Sequence, residues 1–158
     1  MSEQAEGTGR GERPDRSSRI VVGVDGSPTG QEALAWALSE ARVRHTGLRA
    51  ILAWRTPYDW QVEPMFPLDL QQVRASAQHQ LAQALARVEP GGVDVQAELV
   101  EGEPGAVLVA ASREADLLVV GARGHNPLVE LIIGSVGTFC AHHAACPVVI
   151  VPPATRQA

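Results

Sequence analysis

One stretch, residues 121–151, joins the clearest chemical pattern of the chain to its clearest structural pattern. A four-residue apolar run leads into Gly121 and Gly124, nine residues follow, and Gly134 and Ser135 then precede a segment with helical spacing. Glycine has no Cβ atom, so an anion can approach the backbone closely. The first turn of a helix adds free N–H groups and the positive end of its dipole, and Ser135 adds a hydroxyl. The stretch therefore predicts a phosphate-binding loop inside a β-α-β unit; the alternative is that the glycines only form turns and Ser135 only caps its helix.

Length and charge restrict the class of protein. A chain of 158 residues fits one domain with a real core. No apolar run reaches the roughly 18 residues of a membrane span, and a net charge of −5 disfavours a nonspecific nucleic-acid binder. An export signal is not recognised at the start, and two cysteines fit a reducing compartment. We expect a cytoplasmic protein with neither membrane nor nucleic-acid partners.

Apolar runs and helical patterns alternate between two polar ends. Residues 1–18 have almost no apolar side chains, which predicts a disordered tail, and residues 153–158 form a short second tail. The domain between them, 19–152, alternates strands with helices, and this order predicts a parallel sheet with right-handed crossovers. The predicted strands are 19–24, 48–54, 93–100, 117–120 and 147–151, with helices beginning near Thr29, Leu70, Pro104 and Ser135.

Polar and charged residues follow two of the predicted strands. Ligands of parallel sheets bind beyond the carboxyl ends of the strands. Asp25 follows the first strand and Gly121 the fourth, so both face one crevice if these strands are neighbours. Asp25 is also suited to capping the turn after its strand. Arg123 and His125 are either anion partners beside the glycines or plain surface residues.

Other reactive side chains favour structural interpretations. His142 and His143 are adjacent, so on a helix they point about 100° apart and are poorly placed to share a metal ion. Cys140 and Cys146 lack CxxC spacing and are predicted to be buried thiols. No catalytic or metal-binding residue is predicted, because neither a nucleophile–base pair nor paired carboxylates accompany the glycine loop.

The spacing of Gly121, Gly124 and Gly134-Ser135 resembles the G-2x-G-9x-G(S/T) pattern of the ATP-binding universal stress proteins. The opening VVGVDGS, the AW that ends the second strand and the closing HHAACPVVIV are similar to single-domain actinobacterial members. The resemblance covers about residues 19–152. It implies a three-layer α/β/α sandwich, Rossmann-like and of the adenine nucleotide α-hydrolase-like group, with a five-stranded parallel sheet in the order 3-2-1-4-5. It also implies a homodimer paired through the last strand, 147–151.

The resemblance further implies where an adenine nucleotide would bind. Gly23 and Asp25 would line the nucleoside end, and Trp54 would offer its backbone to the adenine edge. The ligand would be ATP, or ADP or AMP, with Mg²⁺ on the phosphates if the protein is an enzyme. The ribose and phosphates would be held by Gly121, Ala122, Arg123, Gly124, His125, Asn126, Gly134, Ser135 and Val136.

One position departs from the family pattern. Many nucleotide-binding members have Ser or Thr two residues after the position of Ser135, where this chain has Gly137. Loss of one neutral hydrogen bond is worth about 1 kcal/mol, so we expect an altered phosphate preference rather than loss of binding.

Three functions remain open at this point. The leading hypothesis is a regulatory module of the stress response, in which the nucleotide sets the conformation or dimer state that another protein senses. The alternatives are a weak ATPase or autophosphorylating enzyme, with Asp25 helping to place Mg²⁺, and a nucleotide-free dimerisation module.

Overall fold

A five-stranded, all-parallel sheet lies between two helical layers. The computed structural model describes residues 19–56, 69–122 and 133–154. The strands are ordered β3-β2-β1-β4-β5, which confirms the predicted fold class and order. In chain order the elements are β1 (Arg19–Gly23), α1 (Pro28–Arg44), β2 (Gly47–Trp54), α2 (Leu70–Ala86), β3 (Val95–Glu101), α3 (Pro104–Ser112), β4 (Leu117–Gly121), α4 (Ser135–His143) and β5 (Val148–Val151).

Local chemistry sets the ends of α1. The Ser27 hydroxyl accepts a hydrogen bond from the N–H of Gly30 at 3.0 Å and so caps the helix. Pro28 occupies the first helical position, where its missing N–H costs nothing, so α1 begins one residue earlier than the pattern predicts. His45 ends the helix in the left-handed conformation, with φ of 51°.

Two apolar clusters hold the helical layers to the sheet. One joins α1 and α2 to alternate residues of β1, β2 and β4, and includes Val22, Leu34 and Leu48. The other joins α3 and α4 to the opposite face, through Leu108 and Cys140. The middle residues of β1 and all but the last residue of β4 are buried, as expected for central parallel strands. β3 lies at the edge, as its alternating pattern predicts.

Helix α4 buries little of its largest apolar side chain. Phe139 directly precedes the buried Cys140 but is 42% exposed, and the buried residues of α4 are Gly137 and Cys140. The Phe139 ring instead packs against α3 at Gly105. The ring is so close that a Cβ atom on Gly105 would lie 2.8 Å from its Cδ1. It also contacts His143, with ring centroids 4.4 Å apart.

Several predicted segments lie outside the described residues. They are the tail 1–18, most of the proline-rich loop after β2, residues 123–132 and the last four residues. Within the described ranges, no helix combines the length and the apolar content that a bilayer span requires.

Candidate functional site

A cavity of about 370 Å³ opens at the carboxyl ends of β1, β2 and β4. This is the edge of a parallel sheet where ligands bind, at the point where the chain order reverses across β1. Its size falls in the usual range of roughly 300–1,000 Å³ for small-molecule sites. It is lined by Gly23, Val24, Asp25, Gly30, Ile51, Leu52, Ala53, Gln80, Pro104, Leu108, Val120, Gly121, Gly134, Ser135, Val136 and Gly137.

The beginning of α4 forms one end of this cavity. Gly134 occupies the N-cap position, and no described side chain caps the helix. The first intrahelical hydrogen bond runs from the N–H of Thr138 to the carbonyl of Gly134 at 3.0 Å. The N–H groups of Ser135, Val136 and Gly137 therefore precede the helical ladder, at the positive end of its dipole.

Gly121 brings β4 against the first turn of α1. A Cβ atom at this position would lie 2.7 Å from the carbonyl carbon of Thr29 and 3.0 Å from the backbone nitrogen of Gly30. Those atoms are backbone and have little freedom to shift, so only glycine fits without moving the helix. Two helix beginnings, those of α1 and α4, consequently meet at one cavity.

The departure at Gly137 has a local steric reason. Gly137 is buried, and a Cβ atom there would lie 2.9 Å from Cγ2 of Ile133. A serine or threonine in this position would require the exposed side chain of Ile133 to shift. The site therefore offers a backbone N–H at Gly137 and no hydroxyl.

Asp25 both caps a turn and lines the cavity. One carboxylate oxygen, Oδ1, accepts hydrogen bonds from the backbone N–H of Ser27, at 2.9 Å, and from its hydroxyl. Asp25 thus stabilises the turn that caps α1, as the structural alternative predicts. The residue is nevertheless exposed and lines the cavity. Gly30 makes room for it, since a Cβ atom there would collide with Oδ1.

Three further residues, Gly23, Trp54 and Ala122, were predicted to contact the nucleotide, and only one of them lines the cavity. Gly23 lines it, whereas Trp54 and Ala122 do not. The Trp54 carbonyl accepts a hydrogen bond from the N–H of Gly102 at 2.8 Å, and Ala53 occupies the cavity wall instead. The Ala122 N–H donates to Val151 at 2.8 Å, and its carbonyl accepts from Gly134 at 2.6 Å. The roles of these two residues toward a nucleotide stay predictions, and Arg123, Gly124, His125 and Asn126 lie outside the described residues.

Sequence reasoning missed the apolar wall of the cavity and Gln80. Ile51, Leu52 and Leu108 are buried, and they also line the cavity. Gln80 was placed on the outer side of α2 with no role. It is exposed but lies at the rim, where a Cβ atom on Gly26 would be 3.8 Å from its amide. The position of α2 over the turn after β1 could not be inferred from its periodicity.

The two thiols are protonated at neutral pH. Burial, reinforced by the neighbouring Cys146, raises the pKa of Cys140 to about 11. Burial and the charge of Asp116 raise the pKa of Cys146, although its side chain is only half-buried. Neither is a reactive thiolate. His142 and His143 are exposed, with ring centroids 6.3 Å apart. In the part of the chain that the structure describes, no three His, Cys, Asp or Glu side chains are placed to hold a metal ion.

Comparison with known proteins gives relatives over nearly the whole chain. A universal stress protein of Mycobacterium tuberculosis is 33% identical over 147 residues, which are 90% of this chain and 50% of the relative. The chain thus spans about half the length of the curated relatives it matches.

Solved structures agree with the fold. A universal stress protein in complex with cAMP has a TM-score of 0.68 at 25% identity and covers 87% of this chain and 98% of its own. A member of the same family from Burkholderia pseudomallei has a TM-score of 0.66 at 29% identity and covers 90% and 100%. The pattern of the universal stress protein family matches residues 17–152, and the chain belongs to that family.

Proposed function

We propose that this protein binds an adenine nucleotide in the cavity at the carboxyl ends of β1, β2 and β4. The observation that carries the proposal is the convergence, in one cavity, of the uncapped first turn of α4, the close backbone approach at Gly121, an apolar wall and the carboxylate of Asp25. A nucleotide needs all three kinds of group, namely donors for the phosphate, acceptors for the sugar hydroxyls and an apolar surface for the base.

The phosphates would lie at the α4 end. The N–H groups of Ser135, Val136 and Gly137 donate there, and the Ser135 side chain is exposed and adds a hydroxyl. Positive charge from a lysine is not required, because amide donors and the helix dipole both favour an anion. Arg123, Gly124, His125 and Asn126 are proposed to extend this site, and Ala122 precedes them.

The nucleoside would lie along the sheet. Ile51 and Leu108 pack on one face of the sheet and Leu52 on the other, and all three contribute to the apolar lining of the cavity that would receive a base. Gly23 keeps the strand end free of a side chain. Asp25 still has Oδ2 to accept from ribose hydroxyls, since its hydrogen bonds from Ser27 use Oδ1. The proposed edge contact of the base is the backbone at Ala53 and Trp54.

The proposed ligand is ATP, or ADP or AMP. The relative solved with cAMP supports an adenine ring with at least one phosphate. Mg²⁺ would accompany a triphosphate and neutralise part of its charge. Among the described lining residues, Asp25 is the single ionisable side chain, so a general acid–base pair is not assembled there. This favours binding over hydrolysis, with the nucleotide setting the conformation or dimer state of a stress-response module.

A charge placed at Ser135 tests the proposal. We expect Ser135→Asp to weaken AMP and ATP binding at least about tenfold, because its carboxylate repels the phosphate at short range. The same carboxylate favours a helix beginning, so the melting temperature should not fall. Isothermal titration calorimetry gives the affinities, and Ser135→Asn is the uncharged control, expected to stay within about threefold of the natural protein.

Two outcomes would contradict the proposal. One is equal nucleotide affinity in Ser135→Asp and the natural protein, which would remove α4 from the site. The other is no binding of any adenine nucleotide at millimolar concentration, which would favour a nucleotide-free module. Release of phosphate from ATP above background, lost in Asp25→Ala, would instead support the enzyme alternative.

A second copy of the chain is the proposed partner. β5 pairs with β4 on one side and ends the sheet, so its other edge is free within the described residues to pair again. This free edge supports a homodimer joined through residues 147–151.

A further inference from the structure

A second and larger cavity, of about 630 Å³, lies at the opposite end of the sheet. It opens where β1, β2 and β3 begin, beside the last turn of α1 and the turn that carries Gly91 and Gly92. Nothing in the proposed nucleotide site uses it, because that site lies at the carboxyl ends of the strands. We refer to it as the basic cavity, after Arg19, Arg42 and Arg49, which line it together with His45.

The charges of the basic cavity are only partly neutralised. Arg49 is paired with Glu98, through its Nε at 2.7 Å and its Nη2 at 2.9 Å. The guanidinium of Arg42 donates to the carbonyl of Glu89, and that of Arg19 donates to the amide oxygen of Gln96 at 3.4 Å. The backbone N–H of Arg19 donates to the carboxylate of Asp116 at 3.1 Å, so one acidic group lies beside this arginine. Within residues 19–56, 69–122 and 133–154, neither Arg19 nor Arg42 forms a salt bridge.

This positive charge contrasts with the chain as a whole. The net charge of the protein is −5. The lining of the basic cavity contains three arginines and one acidic residue, Asp94, and Glu98 pairs with Arg49 beside it, so these five groups together have a formal charge of +1. Guanidinium groups hold phosphate by paired N–H donors and keep their charge at any physiological pH.

Thr46 provides an independent observation. It lines the basic cavity, is only 9% exposed, and its Oγ1 has no hydrogen-bond partner among the described residues. Buried hydroxyls are usually paired, and each exception calls for an explanation. Its backbone N–H is already used, since it donates to Ala41 at 3.0 Å and closes α1. Because Thr46 lines the basic cavity, a ligand bound there is one partner that would satisfy this hydroxyl.

The backbone also leaves room for Arg42. A Cβ atom on Gly91 would lie 2.5 Å from Nε of Arg42, so the glycine lets the guanidinium fold over this turn. The dipole of α1 explains a cation at its last turn. It does not explain Arg19, which is the first residue of β1.

We propose that the basic cavity binds a small phosphate-bearing molecule, with Arg19 and Arg42 as the charged contacts and Thr46 as the hydroxyl contact. Arg49 is already neutralised by Glu98 and positions the edge strand. The ligand is distinct from the proposed adenine nucleotide, because the two cavities lie at opposite ends of the strands.

Titration of inorganic pyrophosphate into the Ser135→Asp protein tests the basic cavity alone. The carboxylate introduced by this substitution disfavours pyrophosphate binding at the proposed nucleotide cavity. In a second titration, the natural protein is first saturated with AMP, which occupies that cavity and leaves the basic cavity free. We expect one site in calorimetry, and Arg19→Gln and Arg42→Gln should each weaken it about tenfold. Arg87→Gln, which changes an exposed arginine at the end of α2, should leave the affinity unchanged.

Thr46→Val provides a second variant that keeps the size of the side chain. Removing an unpaired buried hydroxyl should leave the melting temperature of the free protein equal or higher, while pyrophosphate affinity falls severalfold. AMP affinity should be the same in Arg19→Gln, Arg42→Gln and Thr46→Val as in the natural protein, which separates this site from the nucleotide site.

Three results would overturn the proposal. The first is no pyrophosphate binding up to about 10 mM at low salt, a concentration that would detect even a weak site. The second is equal weakening by Arg87→Gln, which would identify general charge attraction. The third is unchanged affinity in Arg19→Gln, Arg42→Gln and Thr46→Val, with all three proteins folded by circular dichroism.

Discussion

Gly121 determines how closely β4 approaches α1 at the proposed nucleotide cavity. The Cβ atom of an alanine at this position would lie 2.7 Å from the carbonyl carbon of Thr29, so the start of α1 would have to move. We expect Gly121→Ala to lower the free energy of unfolding by about 1–3 kcal/mol, the usual cost of overpacking. Urea denaturation measures the change.

Gly47→Ala is the matched control for this prediction. Its Cβ atom would lie 3.4 Å from the carbonyl oxygen of Asp94, close to an ordinary contact. We expect a change smaller than about 1 kcal/mol. Equal effects in the two variants would show that close approach at Gly121 is not a constraint.

Gln80 is the polar residue at the cavity rim that periodicity left without a role. Its amide offers both a donor and an acceptor, which suits a purine edge or a ribose hydroxyl. Because the side chain is exposed, Gln80→Leu should leave stability nearly unchanged. We expect AMP affinity measured by calorimetry to fall about threefold to tenfold, the value of one neutral hydrogen bond.

Gln83→Leu makes the same substitution one helical turn away. Gln83 is exposed on α2 and does not line the cavity. Its affinity for AMP should equal that of the natural protein. A loss of affinity in both variants would point to the added leucine rather than to the missing amide.

At the scale of elements, the regular strands and helices were predictable because their signals are local. The apolar runs of β1 and β4 identify central strands, since both faces of each must be covered. The end of α1 follows from the turn at Thr46 and Gly47, and its beginning from Ser27. These features depend only on neighbours in the sequence.

Contacts between elements were less predictable. Phe139 satisfies the helical period of an apolar face, but Gly105 on α3 gives its ring a different place to lie. Likewise, the sequence identified Gly137 only as a position that lacks a hydroxyl. The structure adds that a Cβ atom there would lie 2.9 Å from Cγ2 of Ile133. Both outcomes depend on residues that the fold brings together, and a periodic pattern contains no information about them.

The pairing of β2 with β3 has a pH dependence that can be measured. The hydrogen bond from Arg49 lowers the pKa of Glu98, and it outweighs the opposing effect of partial burial. A carboxylate with a lowered pKa stabilises the folded state above its unfolded pKa, and this contribution is lost as pH falls through the folded value.

We therefore expect Glu98→Gln to reduce the free energy of unfolding at pH 7 by no more than about 1 kcal/mol, because the pair is partly exposed. The difference from the natural protein should shrink as the pH falls through the lowered pKa of Glu98, where its carboxyl becomes protonated. Urea denaturation at several pH values measures it. Glu101→Gln, on the exposed end of β3, should show no such convergence, and a constant difference for Glu98→Gln would contradict the assignment.

At the scale of the whole molecule, the two ends of the sheet differ in chemistry. The carboxyl end uses backbone donors and one acidic residue, while the amino end presents arginines. Helix α1 reaches from one to the other, since Gly30 lines the first cavity and Arg42 the second. We expect residues 19–152 to be the folding unit that carries both.

The outer edge of β5 is the proposed contact between two molecules. Three of its four residues are only partly buried, and a lysine on an edge strand opposes pairing with another strand. Val149→Lys should therefore convert the proposed dimer to a monomer in size-exclusion chromatography with light scattering. Val43→Lys makes the same change on α1, where the side chain is 75% exposed, and should remain dimeric. A natural protein that has the mass of one chain at all concentrations, or a dimeric Val149→Lys, would contradict pairing through this edge.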